Sequence, residues 1–468
     1  MPSEDFVTQQ RTAGRHAVVI GAGLAGMLAA WVLREHAGRV TVIERDRAPE
    51  GPKPRAGVPQ GRHAHVLLPS GQRALDALLP GTVDRLLNDG ARQVGMPEDM
   101  VQWQAGRWYL RTPASIHLLA CTRPLIDWTV RERVRSDDRI HFTQSTEAAA
   151  LLGDAGRVRG VRVRGRGAGD RATRDIEADL VIDASGRSSA SPLWLNEIGA
   201  RAPREESIDT GLAYASQVFR APEGEPDPAF HCFYVLPNAA QPLTAVLLRV
   251  EEGRWIASLS GPRGLEPPTD AEGFVDYASR YPHPHLRDWL SKAVAESPVV
   301  GGRHNANVRR YYEERGRLPA GFLAMGDALC AFNPIYGQGM SVAALGAVAL
   351  RAALSDRDSV PTTARTQRAL AAVARQAWEI AAGADKEIPG VEFYGTARGA
   401  TADAAAWYLR RLQQRVPGNP TLGAAYRDVL ALNAPLTTLF APRNAADVLF
   451  TRVPATPEHP PLTRDSLD

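Results

Sequence analysis

The glycine pattern GAGLAG at residues 21–26 constrains this chain more than any other feature. It follows a short apolar run at 16–20 and precedes a segment at 24–36 whose apolar residues recur at helical spacing. A second apolar run, RVTVIER, occupies 39–45. Strand, glycine turn, helix and strand together form a βαβ unit of about thirty residues. The pattern therefore predicts two neighbouring parallel strands, with the glycine turn at the start of the connecting helix.

Each glycine of this G-x-G-x-x-G pattern has a separate physical task. Gly21 permits a tight turn, Gly23 lets the backbone approach a pyrophosphate, and Gly26 lets the helix pack close to the strand. The helix N-terminus adds free N–H groups and a partial positive charge. Glu44 ends the second strand, where its carboxylate can accept hydrogen bonds from a ribose. The pattern predicts a dinucleotide site but does not distinguish FAD from NAD. The predicted contacts are Gly21, Ala22, Gly23, Leu24, Ala25, Gly26, Glu44 and Arg45.

A second loop, GDALCAFNPIYGQGMS at 326–341, narrows the choice of dinucleotide. An apolar run ending at Met325 delivers Asp327 beyond a predicted strand, where it can bind a second chain of hydroxyl groups. A helix is predicted from near Met340, and its N-terminus favours negative charge on a ligand. The N1–C2=O edge of a flavin becomes negative when the ring is reduced, whereas NAD has no group that becomes negative on reduction. We therefore predict FAD. The predicted contacts in this loop are Gly326, Asp327, Pro334, Gly337, Gln338, Gly339 and Met340.

Three motifs together resemble the class A flavoprotein monooxygenases, which have the para-hydroxybenzoate hydroxylase fold. The motifs are the GxGxxG pattern with Glu44, the segment ADLVIDASGRSS at 178–189 and the loop at 326–339. They occur in the family's order over about residues 15–350. The resemblance implies an α/β fold: a Rossmann-like FAD-binding domain with an inserted antiparallel β-sheet substrate domain. It also implies NAD(P)H as the reductant and O2 as the co-substrate.

The resemblance further implies roles for single residues. Arg123, which opens a predicted helix, is carried over to a pyrophosphate contact, and Asp327 to the ribityl region of FAD. Asp183 and Gly186 are the residues of the middle motif that are carried over to cofactor binding. Pro334 and the glycine-rich stretch after it are carried over to the isoalloxazine edge. The middle motif reads DASGR where many members have an Asp-Gly pair, so the choice between NADH and NADPH stays open.

Two longer segments resemble the actinobacterial flavin epoxidases of polyether polyketide biosynthesis. They are RAGVPQGRHAHVLLPSGQRALDALLPG at 55–81 and ACTRPLIDWTVRERV at 120–134. This resemblance implies epoxidation of the alkenes of an apolar polyene through a flavin C4a-hydroperoxide, in antibiotic biosynthesis. It leaves open a hydroxylase of another natural product, a flavin-dependent prenyl reductase, and the participation of a separate flavin reductase. A flavin halogenase is disfavoured because no W-x-W-x-I-P segment is present.

Four residues in the first of these segments are candidates for contact with flavin or substrate. Arg55 or Arg62 could contact FAD or steer NAD(P)H, with a solvated loop arginine as the alternative. His63 and His65 invite a general-base interpretation, which hydroxylation of a phenol would use. Epoxidation of an alkene needs no such base. We therefore expect these histidines to order the loop, and only Arg55 and His65 remain as candidate catalytic residues beside the flavin itself.

The remaining chain is divided by its strand and helix patterns. Residues 207–260 predict an antiparallel sheet, whereas 70–89, 272–295 and parts of 363–450 predict helices. Aromatic residues on the sheet strands are either core or substrate wall; the candidates are Trp103, Trp108, Tyr109, Phe219, Phe233 and Tyr234. The predicted domains are 15–90, 112–205 and 300–355 for FAD, 91–111 and 206–299 for substrate, and a helical region at 356–468.

Composition excludes several other classes of protein. The chain has 55 Lys and Arg against 52 Asp and Glu, a net charge of +3, without the basic stripe that nucleic-acid binding requires. Its three cysteines are far apart and suggest neither a metal site nor disulfides. Residues 1–14 read as a polar, disordered leader without a signal-peptide core, and the apolar runs are too short to span a bilayer. We therefore predict a cytoplasmic protein that does not insert stably into membranes.

Overall fold

The computed structural model describes residues 14–166, 172–303, 306–314, 316, 318–356, 361–388, 390–395 and 401–463, apart from the side chains of 401–403. The predicted leader at 1–14 lies outside this part of the chain except for its last residue.

Within the described residues the strands follow the apolar runs of the sequence. They are β1 (His16–Ile20), β2 (Arg39–Ile43), β3 (Val66–Leu67), β4 (Arg92–Met96), β5 (Met100–Gln104), β6 (Arg107–Trp108), β7 (Ile116–Ala120), β8 (Ile140–Thr143), β9 (Thr146–Asp154), β10 (Arg157–Gly165), β11 (Thr173–Glu177), β12 (Leu180–Asp183), β13 (Arg204–Asp209), β14 (Ala213–Arg220), β15 (Cys232–Val235), β16 (Thr244–Arg249), β17 (Arg254–Gly261), β18 (Val294–Ala295), β19 (Val300–Arg303), β20 (Ala306–Tyr311), β21 (Phe322–Ala324), β22 (Cys330–Ala331) and β23 (Glu392–Tyr394).

The helices of the described residues cover the sheets and build most of the C-terminal region. They are α1 (Leu24–Leu33), α2 (Pro69–Leu78), α3 (Thr82–Asn88), α4 (Arg123–Arg135), α5 (Ser191–Glu197), α6 (Ala271–Tyr277), α7 (His285–Lys292), α8 (Gly339–Ser355), α9 (Thr363–Asp385), α10 (Thr401–Arg415), α11 (Pro420–Leu430) and α12 (Pro442–Phe450).

A parallel sheet with the strand order β21-β12-β1-β2-β8 carries both glycine loops. Ala17 pairs with Leu180 and His16 with Arg39, so β1 lies between β12 and β2. Val18 and Val19 are 0% exposed because helices and the three-stranded sheet β11-β10-β9 pack against the parallel sheet. The helices α1 and α8, which follow the two loops, pack against each other. The α/β class and the βαβ unit predicted from the sequence are confirmed.

A larger sheet has the order β18-β14-β17-β16-β15-β5-β6, with β19 beside β14. Its ladders are antiparallel except that β15 runs parallel to β5. The helices α6 and α7 cover one face, where Phe219, Phe233 and Trp255 join Phe274 and Trp289 in a hydrophobic cluster. The opposite face contacts β7 and the loops described below. The antiparallel sheet predicted over 207–260 is therefore present.

Two segments that were each predicted as helical form two separate helices joined by a turn. The segment 70–89 forms α2 and α3, separated at Pro80 and at Gly81, whose φ is +79°. The segment 272–295 forms α6 and α7, with Pro282 and Pro284 between them. Proline lacks the N–H that a continuing helix needs, so both breaks follow from the local sequence.

The C-terminal helices close one end of the large sheet. Tyr408, Leu412, Tyr426 and Val429 form a cluster that also takes in Tyr109 from the segment after β6. The backbone N–H of Leu110 donates to the carbonyl of Pro417 at 2.9 Å, which joins the two regions directly. In the described part of the chain, none of the helices has the length and hydropathy needed to cross a bilayer.

Candidate flavin and substrate site

The first glycine loop is shaped by contacts that only glycine allows. Gly21 has a φ of +97°, and a Cβ there would lie 2.6 Å from the carbonyl oxygen of Ala184. A Cβ at Gly26 would lie 1.9 Å from the oxygen of Gly21. A Cβ at Gly23 would instead point into open space. Gly21 and Gly26 are therefore required by the fold, whereas Gly23 keeps space free in front of the N-terminus of α1.

Glu44 lies at the edge of this loop as a buried hydrogen-bond acceptor. Its carboxylate accepts hydrogen bonds from the backbone N–H groups of Ala22 at 2.8 Å and Asp46 at 3.0 Å. Arg55 Nη1 donates to Glu44 Oε2 at 2.8 Å, and Arg55 Nη2 donates to the carbonyl of Ala22 at 2.9 Å. Burial alone would raise the pKa of Glu44, but Arg55 and the two N–H groups hold that pKa below its usual value. Arg45 is exposed.

A basic cleft adjoins Glu44. It is lined by Lys53, Arg55, Arg123 and Arg131, with Asp127 as the carboxylate among them. Arg123 Nε donates to Asp127 Oδ1 at 2.7 Å, and the buried Nε of Arg55 has no acceptor among the described residues. With Arg55 paired to Glu44 and Arg123 to Asp127, the four cations still leave net positive charge, which suits an anionic group such as a pyrophosphate.

The aspartate of the middle motif is hydrogen-bonded to other residues of the protein. Asp183 is 0% exposed and accepts hydrogen bonds from the hydroxyls of Ser189 and Ser191, each at 2.5 Å, and from the N–H of Ser185 at 2.9 Å. These contacts order the turn after β12. Gly186 in that turn has a φ of +89°, and a Cβ there would meet open space.

The second glycine loop touches the first. Gly326 has a φ of +61°, and a Cβ there would lie 2.7 Å from the Cβ of Ala25. The next residue, Asp327, receives no hydrogen bond on its carboxylate from the described residues. Burial raises the pKa of Asp327, and the charges of Arg187 and Arg123 oppose that change. A carboxylate held near arginines without a hydrogen-bond donor can accept hydrogen bonds from a polyhydroxyl ligand.

The end of the second loop is anchored by a residue that sequence reasoning missed. Asp385, the last residue of α9, is 0% exposed. Its carboxylate accepts hydrogen bonds from Asn307 Nδ2 at 2.5 Å, Asn333 Nδ2 at 3.0 Å and the Tyr336 hydroxyl at 2.5 Å. Burial raises the pKa of Asp385, and these three hydrogen bonds oppose the increase. The loop that precedes α8 is therefore fixed by the C-terminal region.

A cavity of about 170 Å³ separates this loop from the large sheet. Its walls are mainly apolar. The lining residues are His63, Ala64, His65, Val66, Leu68, Met96, Met100, Gln102, Ile116, Leu118, Leu212, Tyr214, Cys232, Tyr234, Leu236, Thr244, Val246, Leu248, Ser258, Ser260, Pro334, Ile335, Tyr336, Gly337, Gln338, Arg427, Leu430 and Ala431. The structure thus brings Pro334, Gly337, Gln338 and His65 together at one cavity.

Strand alternation decides which aromatic candidates reach this cavity. On β5, Gln102 lines the cavity while its neighbour Trp103 belongs to the cluster beneath α6 and α7; on β15, Tyr234 and Phe233 divide in the same way. The substrate-wall prediction is therefore corrected for four residues that lie in the cluster on the opposite face: Trp103, Trp108, Phe219 and Phe233. Tyr109 joins the C-terminal cluster, so Tyr234 alone of the six aromatic candidates lines the cavity.

The two candidate histidines lie at the cavity in different settings. The Nδ1 atom of His63 is 2.7 Å from Ser216 Oγ, which lies 2.6 Å from Ser258 Oγ. His65 Nδ1 lies 2.8 Å from the carbonyl of His63, so the neutral ring donates its Nδ1–H to that oxygen. Burial, with a smaller contribution from Arg123, lowers the pKa of His65 to about 4. His65 is thus neutral at pH 7. Arg62 is exposed.

A family model described as "FAD binding domain" matches residues 15–357. The chain belongs to the FAD binding domain family. Protein Rv3254 of Mycobacterium tuberculosis is 31% identical over 455 residues, which cover 89% of this chain and 94% of that protein. Kynurenine 3-monooxygenase of Salinispora tropica is 28% identical over 70% of this chain and 69% of its own length. The p-nitrophenol 4-monooxygenase PnpA from Pseudomonas putida has a similar fold, with a TM-score of 0.59 and 17% identity, covering 89% of this chain and 98% of that chain.

FAD fits the residues that this member of the FAD binding domain family presents. Gly23, Gly186 and Gly339 all border open space that a side chain would fill. The basic cleft has excess positive charge, and Asp327 has a free acceptor. The family match and the similar fold of PnpA confirm the predicted FAD cofactor and the flavin monooxygenase fold.

Sequence reasoning missed two further polar residues in the cavity wall of this FAD binding domain protein. Gln102 is 4% exposed, and its Oε1 has no donor among the described residues. Arg427, on α11, is also 4% exposed. The alternation of a strand predicts that Gln102 and Trp103 face opposite sides of the sheet. No local signal marks Arg427, because most of the other residues of the cavity wall lie far away in the chain.

Proposed function

We propose that this FAD-dependent monooxygenase epoxidises an alkene of an apolar polyketide, using NAD(P)H and O2. The observation that carries the proposal is the apolar cavity between the large sheet and the loop at 334–338. Leucine, isoleucine, methionine and valine contribute twelve of the 28 described residues in its wall, which favours a hydrocarbon chain over a polar substrate. The polyether pathway rests on the resemblance of 55–81 and 120–134. The same proposal includes a substrate domain formed by residues 91–111 and 206–299 and a helical C-terminal region at 356–468.

The protein would hold FAD through both glycine loops. Gly23 and the basic cleft would hold the pyrophosphate, Glu44 the adenosine ribose and Asp327 the ribityl chain, while the N-terminus of α8 would face the ring edge. When bound and reduced, FAD supplies the chemistry that activates O2. The balanced reaction is alkene, O2, NAD(P)H and a proton giving epoxide, water and NAD(P)+.

The chain's own residues position the substrate and exclude water. The apolar wall keeps the reacting centre dry, which favours transfer of oxygen to the substrate over release of peroxide. His65 is neutral and bonded to the backbone, so it orients the loop rather than exchanging a proton with an alkene. Epoxidation requires no side chain as acid or base, which agrees with this arrangement.

Hydroxylation of an aromatic natural product is the second candidate. It is favoured by one observation, the chain of hydrogen bonds from His63 through Ser216 to Ser258 beside the cavity, which could accept a phenolic proton. The relatives named above include a kynurenine 3-monooxygenase. Halogenation would need a lysine to form or guide the halogenating species. It is disfavoured because Lys53 lines the basic cleft and is not part of the cavity wall.

The test uses the FAD-loaded protein with NADPH, ¹⁸O2 and a series of unsaturated acids from sorbic to linolenic acid. We expect a product that contains one ¹⁸O atom and that dilute acid opens to a diol. An ¹⁸O-labelled phenol formed from an aromatic panel, with no epoxide, would favour the hydroxylase. A product that gains two hydrogens and no oxygen would favour the prenyl reductase.

A further inference from the structure

We infer that the substrate carries a carboxylate and that Arg427 binds it at the end of the cavity remote from the flavin loop. This inference rests on the proposed function, because it names the polar end of the substrate whose alkene is epoxidised. It makes Arg427 a specificity-determining residue.

Arg427 is a buried cation without a protein anion. It is 4% exposed and lines the cavity, and its Nε donates to Ser115 Oγ at 2.8 Å. Among the described residues no carboxylate lies within ion-pair distance, and no acceptor is bonded to either Nη atom. Burial lowers the pKa of Arg427, and the nearby Tyr109 and Asp428 oppose this only in part. A buried guanidinium that lacks an anion is costly, and an anionic ligand would remove that cost.

Other buried arginines of this chain are bonded much more completely. Arg111 donates from its Nε and both Nη atoms to the carbonyls of Glu98, Pro461, Thr463 and Ala229. Arg310 pairs with a glutamate and also donates to two carbonyls. Arg415 donates to the carbonyls of Arg411 and Thr451. Arg427 is the buried arginine that both lines the cavity and has a single hydroxyl partner within the described chain.

The strand register places this guanidinium away from the flavin loop. Ala120 of β7 pairs with Val66, which lines the cavity beside His65, whereas Ile116 at the other end of β7 pairs with Met96. Ser115, the partner of Arg427, precedes Ile116. The five residue steps of extended chain from Ser115 to Ala120 span roughly 17 Å. A bound carboxylate at Arg427 would therefore leave the apolar chain to extend toward the loop at 334–338.

The charge of the cavity indicates a carboxylate rather than a phosphate. Among the described residues, Arg427 is the one arginine or lysine in the wall, and His65 is neutral at pH 7. One fixed positive charge balances a monoanion, whereas a phosphate dianion would remain half compensated. An ester or amide carbonyl could accept the hydrogen bonds but would leave the buried charge uncompensated.

The experiment compares unsaturated acids with their methyl esters. Sorbic through linolenic acid and the matched esters are titrated into the FAD-loaded protein, and binding is followed by the change in flavin absorbance. We expect the best acid to bind at least about tenfold more tightly than its ester, as one charge-assisted hydrogen bond provides. Arg427→Gln should abolish this preference without changing the FAD content, and Arg427→Lys should retain part of it.

Arg415→Gln is the matched control, because it removes a buried arginine that does not line the cavity. It should lower the melting temperature and keep the acid preference. Equal binding of acid and ester by the unchanged protein, absence of acid binding, or a preference that survives Arg427→Gln would each overturn the inference. Since binding is read without turnover, an acid preference without epoxide formation would overturn the epoxidation proposal alone.

Discussion

At the scale of single residues, the first glycine loop contains two glycines that are needed for different physical reasons. Gly26 has backbone 1.9 Å from where its Cβ would be, whereas Gly23 has open space. The first is required for the helix to meet the strand, and the second is required only if a ligand occupies the space. Mutations at the two sites therefore separate folding from cofactor binding.

Gly23→Val should fold and fail to retain FAD. Gly23 has a φ of −71° and a ψ of 176°, which valine adopts without strain, and the added atoms would occupy the pyrophosphate space. FAD per chain, measured by absorbance, should fall to near zero while the far-UV circular dichroism stays unchanged. Gly26→Val, the comparison, should lose the fold itself. A Gly23→Val protein with a full complement of flavin would remove this loop from the pyrophosphate role.

His65 should make the protein less stable in mild acid. Its pKa is about 4 in the folded protein and 6.5 when unfolded, so the unfolded chain binds the proton more readily. The stabilisation is complete above pH 6.5 and is lost as pH falls toward 4, by at most about 3 kcal/mol.

The measurement is urea unfolding at pH 7 and pH 5, for the unchanged protein and for His65→Gln. The unchanged protein should lose more free energy of unfolding between these pH values than the variant loses. Identical losses would show that His65 is protonated with equal ease in both states.

At the scale of elements, α9 controls a loop that it follows in sequence. The carboxylate of Asp385 accepts hydrogen bonds from Asn333 and Tyr336, so the C-terminal end of α9 fixes the loop before α8. The large sheet acts similarly, because the Tyr234 hydroxyl donates to the carbonyl of Ile335 at 2.6 Å. The loop at 334–338 is thus held between two elements that carry no glycine motif.

Asp385→Ala should destabilise the protein by about 2–4 kcal/mol and weaken FAD binding, because three buried donors lose their acceptor. Melting temperature and FAD affinity are the measurements, with Glu379→Ala on the exposed side of α9 as the control. A variant that melts earlier yet binds FAD with unchanged affinity would show that Asp385 supports the core without positioning the loop.

At the scale of the whole molecule, the cavity is assembled from segments that are distant in the chain. Arg427 and Ser115 are 312 residues apart, and Ser70 donates to the carbonyl of Ala431 across 361 residues. The inner face of the large sheet supplies one wall, and α11 with the loop at 334–338 supplies others. The shape and the chemistry of the cavity are therefore properties of the assembled fold.

Val246→Trp should fill the cavity without displacing FAD. Val246 lines the cavity on β16, and the larger ring would occupy much of its volume of about 170 Å³. We expect substrate-stimulated NAD(P)H oxidation to fall at least about tenfold, since the substrate could no longer enter. Val294→Trp, at a position that is 45% exposed, is the matched control. Unchanged stimulation in Val246→Trp would place the substrate elsewhere.

Much of the fold was predictable from short stretches of chain. The βαβ unit, the start of α4 at Arg123–Pro124 and the hairpin turn at Ala105–Gly106 all depend on local spacing, proline chemistry and turn residues. The boundary between α2 and α3 was missed as a prediction, although Pro80 and Gly81 carry the signal for it.

The sequence by itself determined the parallel FAD-binding core, because its glycines and acids act within a few residues of the strands that present them. Tertiary structure alone decided which face of each strand meets the cavity. Alternation separates Gln102 from Trp103, but the side covered by α6 and α7 is chosen only when the sheet packs. Tertiary structure also decided the surroundings of Asp385 and Arg427. The folded chain brings three hydrogen-bond donors to Asp385, and it places Arg427 in the cavity wall beside Ser115.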